Sequence, residues 1–386
     1  MKKTLLIFLA LFSAMFSFES YYPNLTISKN SVAKEDSIVT IKISATGDLM
    51  CHSVQFNYAK VSNDSFDFNP VFEYVKEIIS KSDFAFGNLE TVLAGSTKNY
   101  SGYPFFNTPN SFVEAVKNAG FDLLITSNNH SLDRGEDGIL RTINELDKLN
   151  LNHTGTFRTQ SDRDSIRIFD IKGIKMGVIA YSYGTNGNPI PIHKSYLINI
   201  IDEELIASDI RKARKNGAEV VLVNFHFGEE YQHEPNSFQE EVVSKTVAAG
   251  ADIIIGGHPH VIQPLKIFKT SDAKLDSGFV AYSLGNFISN QRWRYSDAGI
   301  ILTLSISKNI FNDSIFVSGI EYHPVWVFKG ATNFGNRYII LPEDHNNYLY
   351  DFMTDKDKRL MEEAFSDTHY IISSYDKRFF QSIINF

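Results

Sequence analysis

The chain has a single cysteine in 386 residues, Cys51, so no intrachain disulfide can form and stability must come from the packed core. Basic charge is also short. Lys and Arg number 37 against 45 Asp and Glu, a formal net charge of −8. Without basic stripes to displace phosphate counterions, nucleic acid is excluded as a partner, and an anionic membrane surface is disfavoured. An anionic substrate is compatible only where local cations, such as metal ions, offset the general repulsion. No nucleophile elbow, phosphate loop or dinucleotide fingerprint occurs, which removes the commonest serine-hydrolase and nucleotide-binding readings. What remains, 43% hydrophobic and 21% charged, is the composition of an ordinary soluble globular protein.

The apolar run at residues 5–18 is too short for a comfortable membrane span and follows Lys2 and Lys3, the pattern of a secretory signal. Residues 1–20 are therefore expected to be a signal peptide. Phe18-Glu19-Ser20 is a poor cleavage site, so an uncleaved anchor is the alternative. Either way the protein is expected to be exported to the cell envelope, periplasmic or extracellular. Cys51 lies too far from the apolar run for lipid attachment. Residues 21–37 are polar and turn-rich and read as a linker.

From residue 38 the pattern is that of an α/β protein. Residues 38–44 alternate with β-branched side chains and run into a turn at Gly47-Asp48. A helix is expected over 70–82, with Pro70 in its first turn, then a short strand over 84–86. Three helices close on a glycine that leads straight into a strand, at Gly120, Gly217 and Gly250. The strands that follow, 122–125, 220–225 and 253–255, are almost continuously apolar, as strands covered on both faces are. Residues 166–171 and 175–181 read as a hairpin, and further strands are expected at 265–268, 279–283, 300–305 and 315–322. One domain is expected over 38–328. Residues 329–386 read as a C-terminal extension packed on it, with a helix around 356–365.

Polar residues suited to metal binding stand at the ends of these strands: Asp48, Glu90, Asn129-His130, His226, and His258 with His260. Carboxylate, amide and imidazole donors suit a hard or borderline divalent ion, and strand ends deliver side chains into a shared crevice. In Gly256-Gly257-His258-Pro259-His260, proline forbids a helix interior, so the segment is extended or turned, and in an extended chain the two imidazoles face the same way. Histidines satisfied by backbone groups in a turn are the alternative. His226 taken alone reads as a core or capping residue, and Asp48 and Glu90 as helix caps or solvated turn residues. Asp133 and Arg134 are expected to brace the turn after His130, with Glu230 and Asn286 as further supporting residues.

In their order along the chain, Gly47-Asp48, Asn88-Leu89-Glu90, Ser127-Asn128-Asn129-His130-Ser131-Leu132-Asp133-Arg134-Gly135, His226-Phe227-Gly228-Glu229-Glu230-Tyr231, Gly257-His258-Pro259-His260-Val261-Ile262-Gln263-Pro264 and Ser283-Leu284-Gly285-Asn286-Phe287 resemble the CapA family of poly-γ-glutamate capsule biosynthesis, itself related to calcineurin-like metallophosphoesterases. The resemblance implies a four-layer α/β/β/α sandwich of metallophosphoesterase type with one or two divalent metal ions, whether Mn, Mg, Zn or Fe. It implies Asp48 and His260 on one metal, Glu90 bridging, Asn129, His226 and His258 on the other, and His130 as acid or charge stabiliser. Water activated by the metals would attack phosphorus or a carbonyl carbon. Implied partners are an anionic envelope polymer or phosphoester substrate and membrane synthase subunits. In a non-catalytic alternative, the protein binds polymer for such a synthase. Two departures stand out. The phosphoesterase pattern has Asp-x-His at the first station, where this chain has Met50, with His52 out of register. Glu90 stands where the related enzymes use aspartate.

Overall fold

Runs that look uniformly apolar in sequence separate in space into two faces. In the strand Phe84–Leu89, Phe84 and Phe86 join one buried cluster while Ala85 and Leu89 join another. In Val220–His226, Val220 and Leu222 face the first cluster, and Val221, Val223 and Phe225 face a third. Ile253 and Ile255 part from Ile254 in the same way. Period-two side-chain placement puts one shared core between two sheets and a further core on each outer face. Each Val, Leu, Ile or Phe side chain so buried contributes about 1.5–3 kcal/mol relative to exposure.

The computed structural model describes residues 37–270, 274–275, 277–343, 350–380 and 383–385. The expected signal segment and linker residues 21–36 lie outside them. The first sheet runs in the order Gly335–Pro342, Ile315–Thr332, Ala298–Asn309, Ile38–Leu49, Phe84–Leu89, Leu123–Ile125, Asn152–Thr154, with two short strands added off this path. Its last four strands are parallel, and Ile38–Leu49 pairs antiparallel with Ala298–Asn309. The second sheet runs Leu265–Lys269, Ser277–Ala281, Ile253–Gly257, Val220–His226, Ile174–Ser182, Arg167–Ile171, parallel at its centre and antiparallel at both edges. Phe112, Val116 and Leu146, from the helices Ser111–Asn118 and Gly135–Lys148, cover the outer face of the first sheet. Ile206, Ile210 and Val242, from Glu203–Lys215 and Ser237–Ala248, cover that of the second. The result is the four-layer α/β/β/α sandwich.

The three helix-closing glycines, Gly120, Gly217 and Gly250, all adopt positive φ, between 96° and 109°. The helix expected over 70–82 is two short ones, Asn69–Phe72 and Lys76–Ser80. The boundary expected at 328 falls inside the strand Ile315–Thr332, and the strand Gly335–Pro342 pairs with it, so the sheet continues beyond that point. The helix Asp355–Tyr375 packs against the same strand, burying Phe365, Thr368 and Ile372. Among the described residues no helix is long and apolar enough to cross a membrane.

Candidate metal centre

The strand ends of the two sheets meet, and the polar residues found there are buried. Asp48 closes the strand Ile38–Leu49, where its register against Phe84–Leu89 shifts. Glu90 and Asn129 follow strands of the same sheet. His226 ends Val220–His226, and His258 and His260 follow Ile253–Gly257 in the other sheet. All six are almost inaccessible, Asp48 and Glu90 completely so. Gly257 makes this approach possible: a Cβ there would lie 2.7 Å from Asp48 Oδ1. His258 and His260 hold φ of 98° and 57°, left-handed values that cost a non-glycine residue roughly 1–3 kcal/mol each and occur where function over-determines the backbone.

Donor atoms of Asp48, Glu90 and His260 lie within 4.8 Å of one another, and so do those of Glu90, His226 and His258. Glu90 is common to both groups, as a bridging carboxylate must be. A third such group joins His258 and His260 to Glu230, whose carboxylate is exposed. Asp48 is the best satisfied member. Its Oδ1 accepts from Asn88 Nδ2 at 2.8 Å, and its Oδ2 accepts from the His258 backbone N–H at 3.2 Å and lies 3.2 Å from His260 Nδ1. Burial alone would raise its pKa, but bonding to His260 and the nearby imidazole charges hold it at about 2. Burial likewise works to lower His260, and the Glu90 and Asp48 carboxylates overcome this to lift it to about 9. His260 thus carries a proton at neutral pH where the anionic pair calls for a cation.

Glu90 is different. Among the described residues neither carboxylate oxygen has a hydrogen-bond partner, the nearest imidazole nitrogens being His226 Nε2 at 3.5 Å and His260 Nε2 at 3.8 Å. His258 Nδ1 is also buried without a partner, and burial first, then the neighbouring imidazoles, push its pKa well below the ordinary value. Leaving such atoms unmet costs about 1–3 kcal/mol each, more for a charge. Two orphaned carboxylate oxygens and an unprotonated imidazole within ligand spacing fit a divalent cation.

His130 follows Asn129, whose Oδ1 lies 2.9 Å from His226 Nε2. Its Nδ1 is 2.7 Å from Asp133 Oδ2, an oxygen that also accepts from Phe106 N–H, and its ring meets Phe106 edge-on at 4.7 Å. Arg134 points away, donating to Ser101 Oγ and to the carbonyls of Phe105 and Phe106, so it ties down the 101–106 loop. Asn286 Oδ1 lies 3.1 Å from His260 Nδ1. His52 belongs to neither ligand group. It caps the helix Ser53–Ala59, shares a hydrogen bond with Gln55, and burial lowers its pKa to about 4.

Three residues of the site carried no role in the sequence reading. Asn88, on the inward face of its strand, joins the sheets by donating to Asp48 and lying 3.2 Å from His226 Nδ1. Tyr183 follows the strand Ile174–Ser182 and packs 4.6 Å from the His258 ring. Gln291 bridges Asn286 and Tyr231. The strand-end rule reaches Tyr183, and inward parity two residues before Glu90 reaches Asn88. Nothing local marks Gln291.

Fold and cluster together define the class: an α/β/β/α sandwich with a carboxylate–imidazole centre where its two sheets meet. A family model described as bacterial capsule synthesis protein PGA_cap matches residues 42–291, and the chain belongs to that family. It is 32% identical over 239 residues to capsule biosynthesis protein CapA of Bacillus anthracis, covering 60% of this chain and 56% of that one. It is 26% identical over 309 residues to PGA biosynthesis protein CapA of Bacillus subtilis, covering 79% and 76%. The chain thus spans little more than half of the Bacillus anthracis relative. Among solved structures it is similar to a putative 5′-nucleotidase from Staphylococcus aureus (12% identity, TM-score 0.46, covering 85% of this chain and 58% of that one). It is also similar to the calcineurin-like phosphoesterase YfkN from Bacillus subtilis (14%, TM-score 0.41, covering 86% and 99%).

Proposed function

We propose that this chain is an exported, metal-dependent hydrolase of phosphoester type that acts on an envelope polymer or its precursor. The observation that carries the reading is Glu90, fully buried with both oxygens unpartnered and shared by two ligand groups. Glu90, Asn129, His226 and His258 would hold one divalent cation, and Asp48, Glu90 and His260 a second. A cation bound there supplies Lewis-acid polarisation of a substrate oxygen and acidifies water.

The remaining chemistry belongs to the chain. Asp133 accepts from His130 Nδ1–H, which fixes the ring and leaves Nε2 to give a proton to a leaving oxygen or to stabilise its charge. Asn129 Oδ1 lies 2.9 Å from His226 Nε2, so its oxygen faces the cluster. Asn88 keeps the carboxylate and imidazole halves in register. Export rests on the basic start and apolar run at residues 2–18, and the envelope substrate on the family.

The test is turnover by the full chain of a phosphomonoester, a phosphodiester and a γ-glutamyl polymer, with Mn2+ and with chelator. Metal-dependent hydrolysis that Glu90→Gln abolishes is expected. A protein that binds metal and polymer yet is inert on all three overturns the hydrolase reading and leaves an accessory factor for a synthase.

A further inference from the structure

Among the described residues, the buried carboxylates and imidazole grouped on the His260 side of the centre are Asp48, Glu90 and His260. Close by, the loop after His226 carries Glu230, whose carboxylate lies within ligand spacing of both His258 and His260 although the side chain is exposed. This placement is built rather than incidental. The backbone N–H of Tyr231 donates to the Pro259 carbonyl at 2.8 Å, which fastens the loop to the turn carrying the two histidines. Tyr231 pays for that contact with a φ of 65°.

The side chains behind the loop are linked as well. The Tyr231 hydroxyl accepts from Gln291 Nε2 at 3.1 Å. Asn286 Nδ2 donates to Gln291 Oε1 at 2.8 Å and to the Ser296 carbonyl at 2.8 Å, which turns Asn286 Oδ1 toward His260 Nδ1. One hydrogen-bonded chain therefore connects Tyr231, the residue next to Glu230, with His260. Outer partners that fix ligand direction are a regular part of metal sites.

We propose that Glu230 is a metal ligand on the His260 side of the centre, its fourth donor, with Tyr231, Gln291 and Asn286 as positioning residues. The proposal rests on the metal-centre reading above. It makes the two sides chemically unlike. Glu90, Asn129, His226 and His258 offer two imidazoles, whereas Asp48, Glu90, Glu230 and His260 offer three carboxylates and one. The carboxylate-rich side favours a harder ion such as Mn2+ or Mg2+, and its exposed ligand makes that ion the more readily exchanged.

The probe is Mn2+, titrated into the full chain by calorimetry and followed by electron paramagnetic resonance, which reports a coupled pair directly. The wild type is expected to bind two ions. Glu230→Gln and Glu230→Ala should keep one and bind the other at least about tenfold more weakly, with loss of the coupled signal. Because Glu230 is exposed, thermal unfolding of the metal-free variants should match the wild type. Two ions bound with unchanged affinity in both variants overturn the proposal. So does a wild type holding one ion whose affinity Glu230→Gln leaves unchanged, in which case the metal centre itself stands. No bound ion in the wild type overturns both.

Discussion

On the Asp48 side of the centre, both oxygens of the buried carboxylate meet protein groups: an amide, a backbone N–H and an imidazole. On the other side His258 Nδ1 has no partner among the described residues, although Asn129 and His226 bond each other, and Glu90, shared by both sides, has neither oxygen bonded. The same burial thus produces a half that is satisfied by the protein and a half that is not. The difference teaches where an ion contributes most. A cation adds little to a carboxylate already held by donors, and much to one left bare in a low-dielectric interior.

The sharpest way to break this comparison is Glu90→Gln, which removes the charge common to both halves. Binding of Mn2+ should fall at both positions by more than the roughly 10–100-fold typical of residues that only support ligands, measured by calorimetry. His130→Gln should leave both ions in place and lower turnover by about 10²–10⁴, measured as kcat on a phosphomonoester. Equal loss of metal in that variant would place His130 among the ligands instead. Next come the halves themselves. His258→Ala should cost the tighter ion, and Asp48→Asn, which keeps an acceptor for Asn88, should weaken only the looser one, by about tenfold. The reverse order would invert the comparison.

A pH series sharpens it further. The folded-state pKa of His260 is raised to about 9, so its contribution to stability is complete below about 6.5 and is lost as pH rises toward 9. A bound ion takes the place of that proton. The Tm of chelator-treated protein should therefore fall between pH 6.5 and 9 more than the Tm of Mn2+-loaded protein, and parallel curves would refute this. The smallest effect is expected of Arg134→Ala, which loosens the 101–106 loop. About 1 kcal/mol of stability should go, read from denaturant unfolding, with metal binding unchanged.

The sequence made the strand ends legible because apolar runs are bounded by the very residues that carry chemistry. Helix-closing glycines marked the α/β repeats. Other parts were hidden for physical reasons. The strand expected over 315–322 continues as Ile315–Thr332 through Pro324, a residue unusual in a strand interior, which pairs with Ile300. The helix Asp355–Tyr375 runs ten residues past the expected end, through Ser, Thr and aromatic residues of modest propensity. Packing of Thr368 and Ile372 holds it there. Which partner each site residue would meet, such as Asn88 bonding Asp48 and facing His226, depends on how two sheets dock. No window of sequence contains that.

The placement of Ile38–Leu49 has a consequence for assembly. This strand carries Asp48 and lies between a neighbour about forty residues away and another, Ala298–Asn309, about 260 residues away. Loop closure over such a span is slow relative to local helix formation. The centre is therefore a late product of folding. Ion uptake during refolding should lag behind the recovery of helical signal, and a chain cut short before residue 298 should form helices without ever building the site.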